Sequence, residues 1–151
     1  VAIAVEVGYG GDVESQAFGA RHGLPMYGCV AIHVNGYLRK LRAPPYEDQA
    51  TRLFVRHDNV CGRINNRAAS WLKLFTEAMA RFWKHGDLPG EELQVDTLLV
   101  FVEQHMLIAH RKGKDVADVM KLLDDLTRAE GDERVELLDQ LCAKAKAGEL
   151  R

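Results

Sequence analysis

A chain of 151 residues, 47% hydrophobic and 28% charged, has the proportions of a globular protein and excludes a disordered or fibrous one. Its length suits one domain, residues 1–151, burying about 70% of its unfolded surface. The net charge of −2 conceals a division, because residues 1–85 carry 11 Lys and Arg against 7 Asp and Glu, while residues 86–151 carry 9 against 15. A basic first half suggests a polyanion as partner, and an acidic second half a solvated or partner-facing surface.

The first element is "VAIAVEV", β-branched and ended by the loop signal "GYGG". It has no basic leader, so it does not read as a signal peptide. Its glycines do not complete a G-x-G-x-x-G phosphate loop, since position 13 is Val13. "DVESQAFGARHG" follows as a short helix capped by Asp12 and ended by Gly23. In "CVAIHVNGYLRKLR" two apolar segments flank Asn35-Gly36, a pair suited to a type I′ turn, which predicts a β-hairpin over 29–42. Pro44 and Pro45 stop its second strand, because proline cannot donate to a ladder.

From Tyr46 the period changes to that of a helix. Ala50, Leu53, Phe54 and His57 form one stripe. Val60, Ile64, Ala68, Trp71, Leu72, Phe75, Met79 and Phe82 then step by three or four without interruption. This spacing predicts a helix over about 59–84, with Asp58 or Asn59 as N-cap and His85-Gly86 as its end. Val95, Leu98, Leu99, Val102, Met106 and Ala109 mark the next helix. It is apolar all round between Leu98 and Val102, hence central and buried, and it ends near "RKGK". Asp115 and Asp132 cap two further amphipathic helices. The expected architecture is α+β: an N-terminal β-hairpin or small sheet within 1–45, then a bundle of four to five helices within 46–151.

No apolar run approaches the roughly 20 residues needed to span a bilayer. The longest, "TLLVFVEQHMLIAH", is broken by Glu103, Gln104 and His105, so no membrane partner is expected. Three cysteines, Cys29, Cys61 and Cys142, are too few for a disulfide scaffold and point to a reducing, cytoplasmic setting.

The densest polar stretch is "VRHDNVCGRINNR", Val55 to Arg67. If a helix begins at Asp58 or Asn59, its first turn offers free N–H groups and the positive end of the dipole. Arg56 precedes that turn, and Arg63, Asn66, Arg67 and Ser70 share one polar face of it. Gly62 lets a ligand approach the backbone. Arginine binds phosphate or carboxylate through paired hydrogen bonds. The hairpin strand adds Arg39, Lys40 and Arg42, with Tyr37 available for stacking. The expected binding residues are therefore Arg39, Lys40, Arg42, Arg56, His57, Arg63, Asn66 and Arg67, and the expected ligand is RNA, DNA or a smaller phosphate compound. A solvated helix face and an edge strand guarded by cations account for the same residues.

Other chemistries are weaker. Cys29-x3-His33 and His57-x3-Cys61 contain zinc ligand types, but residues four apart on a strand lie about 13 Å apart and cannot share one ion. We expect no metal and no cofactor. His57, Asp58 and Cys61 contain the types of a small thiol hydrolase, with a helix N-terminus favouring the thiolate. Cys61 also lies beside the core stripe, where cysteines are inert. "GEELQVD" before a long helix resembles the second helix of all-α nucleoside triphosphate pyrophosphohydrolases, in which paired carboxylates hold magnesium. The chain departs from that pattern, since Glu92 and Asp96 have three residues between them instead of two, and the preceding helix offers only Glu77. Glu91 and Glu92 are then first-turn acids complementing the helix dipole. The expected function is a nucleic-acid or phosphate-ligand binding domain. The alternatives are a protein-interaction or homo-oligomerisation module working through the acidic C-terminal helices, and the hydrolase.

Overall fold

Every described segment with an apolar step of three or four residues is helical. The computed structural model describes residues 41–151, in which five α-helices follow one another: α1 (Glu47–Ile64), α2 (Ala69–His85), α3 (Glu92–Arg111), α4 (Ala117–Leu126) and α5 (Gly131–Lys146). The chain divides into two compact units, 1–76 and 77–151, with the division inside α2.

This corrects the α+β expectation, because the described residues contain no strand. The hairpin over 29–42 lies outside them except for Leu41 and Arg42. The Ala43 N–H donates back to the Leu41 carbonyl across Arg42, and the Tyr46 N–H to the Ala43 carbonyl across the two prolines. The paired prolines supply no ladder donor.

In the first unit, α1 buries Ala50, Leu53, His57, Val60, Cys61 and Ile64 along one face. Glu47 and Asp48 in its first turn and Arg63 in its last complement the helix dipole. The expected single helix over 59–84 is thus two helices. The backbone is already helical from Glu47, twelve residues before the predicted cap at Asn59, and it breaks at Asn65–Ala68. The apolar step runs on across the break, which is why periodicity alone hides it. Asparagine competes with the backbone for hydrogen bonds. Here the Asn66 amide donates to the Gly62 carbonyl, one of the acceptors that the end of α1 leaves open.

In the second unit, α3 packs on α4 and α4 on α5. The α3 helix is covered nearly all round: Leu98, Val102 and Met106 are fully buried, as are Glu103 and Gln104. Its central, buried position agrees with the apolar composition of Leu98–Val102. An ion pair between Arg134 and Asp96, 3.4 Å and partly buried, ties α5 to α3. The predicted stop at His85-Gly86 is present, with Gly86 at a φ of +74°. A Cβ there would collide with the Cys142 carbonyl of α5, so glycine lets the turn after α2 lie close against that helix. The Asp115 carboxylate accepts from the Ala117 N–H, but the residue at the N-cap of α4 is Val116; Asp132, also expected as a cap, lies inside the first turn of α5, whose N-cap is Glu130. No described helix is long and apolar enough to cross a membrane.

Candidate functional site

The residues singled out in "VRHDNVCGRINNR" occupy the C-terminal half of α1 and the turn after it. The stretch therefore offers carbonyl groups and the negative end of the dipole, not the free N–H groups of a helix start. Any anion held here is held by side chains.

The helix separates those side chains by direction. Arg56 and Arg63 lie seven residues apart, on one stripe. Arg52 and Asn59 complete it, giving steps of four, three and four. Arg52, Asn59 and Arg63 are exposed, and Arg56 is half-buried. Arg52 escaped the sequence reading because a new helix was started at about residue 59, twelve residues past the true start at Glu47, which assigned Arg52 and Arg63 to different elements. The spacing 52-56-59-63 was the available signal. Asn66 and Arg67 follow in the turn, both exposed. The Arg67 guanidinium lies 6.0 Å from the centre of the Trp71 ring, within reach of a cation–π attraction. Trp71 itself stacks on Phe75, with centroids 5.8 Å apart. Arg42 is exposed in the turn before α1, and Arg39 and Lys40 lie outside the described residues.

His57 is separated from this stripe. It is 2% exposed, and its Nδ1 lies 3.5 Å from the Cys61 sulfur one turn on. Burial, partly opposed by the Asp58 carboxylate, lowers its pKa from 6.5 to about 4. Burial, reinforced by the negative charge of Asp58, pushes the Cys61 thiol up to about 12. At neutral pH the pair is a neutral imidazole beside a neutral thiol. The expected thiolate is not favoured, because the helix N-terminus that was to stabilise it is absent and solvent is excluded. No group of three or more metal-ligating side chains occurs among the described residues. The His105 ring packs edge-on against that of Trp83, with centroids 5.1 Å apart.

Glu103 and Gln104 are buried polar residues whose position sequence reasoning recorded only as an interruption of an apolar run. Thr97 is buried near them in sequence and returns its hydroxyl hydrogen to the Leu93 carbonyl at 2.6 Å. Buried polar groups of this kind are held by partners within a fold. Their signal was their place inside "TLLVFVEQHMLIAH".

No family model, curated protein or solved structure matches this chain.

Proposed function

We propose that this chain is a polyanion-binding module that holds a nucleic-acid backbone against α1. The observation that carries the reading is the stripe Arg52, Arg56, Asn59 and Arg63, continued by Asn66 and Arg67 in the turn. From Arg52 to Arg63 the helix rises about 16 Å at 1.5 Å per residue. Measured along a duplex axis, that length spans about five nucleotide steps at 3.4 Å each. Arginine suits the task, because its planar fork pairs with phosphate oxygens and stays charged. Arg42, exposed before α1, is a further candidate contact, and Arg39 and Lys40 lie outside the described residues. His57 has no part in it, being buried and neutral. The free thiols of Cys61 and Cys142 suit a reducing, cytoplasmic setting.

Binding of fluorescent mixed-sequence RNA and DNA across a salt series tests this reading. The logarithm of affinity should fall linearly with that of salt concentration, with a slope of about −3 for three or four neutralised phosphates. Replacing Arg52 or Arg63 by alanine should flatten that slope by about one each. Binding that is absent, or indifferent to salt, overturns the proposal.

A further inference from the structure

The outward faces of α1 and α5 carry one spacing with inverted charge. On α1 the order is Arg52, Val55, Arg56 and Asn59. On α5 it is Asp132, Val135, Glu136 and Asp139. Both run i, i+3, i+4, i+7, which is a single stripe on a helix. Every one of the eight is exposed except Arg56, which is half-buried. The valines stand out among them: Val55 is 64% exposed and Val135 58%. With Leu74 they are the exposed large hydrophobic residues among those described.

We infer that α1 of one molecule docks on α5 of a second copy of this chain. Laid side by side in parallel register, Arg52 faces Asp132, Arg56 faces Glu136, Val55 covers Val135, and the Asn59 amide reaches the Asp139 carboxylate. The chain supplies both halves of the contact, which is the argument for a second copy over another partner. Charge also selects the pairing. Two α1 faces together set arginine against arginine, and two α5 faces set carboxylate against carboxylate. Only the mixed pair removes the repulsion and covers both valines at once.

A single helix pair is a small interface, at the weak and transient end of the range. Its charges are exposed, so salt screens them. The contact closes if two molecules exchange α1 and α5 about a two-fold axis, and propagates head to tail if they do not. The inference goes beyond the polyanion reading and does not depend on it. The two share Arg52 and Arg56, so a bound polyanion and a docked α5 exclude each other.

Sedimentation of the full chain over a concentration series tests the inference. The natural chain should associate at low salt with a Kd on the order of 10–100 μM. Association should weaken at least tenfold between about 50 and about 500 mM salt. Reversing α1 with Arg52→Glu and Arg56→Glu should leave a monomer. Reversing α5 with Asp132→Lys, Glu136→Lys and Asp139→Lys should do the same. An equimolar mixture of the two reversed chains should associate again, because each now carries the face the other lacks. A natural chain that stays monomeric, reversed chains that associate as before, or a mixture that does not associate overturns the inference. If a reversed chain loses its helical circular dichroism, Arg52→Gln and Glu136→Gln replace it. Each should weaken association about threefold, and no weakening overturns the inference. The α5 reversal also separates the two readings: it should abolish association while leaving oligonucleotide binding intact.

Discussion

Helices α1 and α3 have similar lengths and opposite relations to water. Of its 18 residues α1 buries seven, on one face; of its 20 residues α3 buries thirteen, around most of its circumference. The difference separates two uses of a helix. Residues of α3 are set by what packs on them, and even Glu103 and Gln104 are fully enclosed. The outer face of α1 keeps Arg52, Val55, Asn59 and Arg63 exposed, and it is the face on which the proposed contacts lie.

Three changes of decreasing size sharpen the contrast. The largest is in α3. Leu98→Ala removes a fully buried side chain from a helix covered on nearly all sides, and should cost about 2–5 kcal/mol in urea unfolding. A cost below about 1 kcal/mol would show that α3 is less tightly enclosed than its burial indicates.

Next is the buried face of α1. The pKa of His57 is lowered from 6.5 to about 4, so the folded state resists protonation that the unfolded state accepts. Above pH 6.5 neither state is protonated and stability is unaffected. As pH falls from 6.5 to about 4 the unfolded chain takes up the proton first, and stability is lost in that window. The gap corresponds to about 3 kcal/mol by linkage. Unfolding of the natural chain and of His57→Gln at pH 7 and pH 4.5 checks this. The natural chain should lose more on acidification, and equal losses would contradict the burial of a neutral imidazole.

The smallest is on the outer face of α1. Arg63→Ala, at an exposed last-turn position, should change stability by no more than about 0.5 kcal/mol. Its effect should appear in polyanion binding instead. A large loss of stability would move Arg63 from the partner-facing stripe into the fold's own support.

Much of the helical part was legible before any coordinates. The steps at Ala50, Leu53 and His57, and again at Leu98, Val102 and Met106, marked faces that are indeed buried. His85-Gly86 marked a real helix end. The break at Asn65–Ala68 was not legible, because the apolar period runs through it. Reading Asp58 or Asn59 as a cap was a consequence: a polar residue before an apolar stripe looks like a helix start even when the helix began earlier. The candidate site inherited that error. Of the stripe proposed above, the sequence pointed to Arg56 and Arg63 and not to Arg52, and it grouped with them His57, which is buried on the opposite face.

The sequence by itself determined which residues are apolar at helical spacing, how charge divides between the halves, and that arginines gather between Val55 and Arg67. Those are properties of neighbours along the chain, and a period of 3.6 residues makes them visible. Only the tertiary structure decided where α1 begins and ends, that His57 and Cys61 are buried and neutral, and that Val55 and Val135 remain in water on oppositely charged faces. A pKa depends on the solvent that packing excludes, and a face is open only if no other element covers it. Both are set by residues distant in sequence, which no local pattern records.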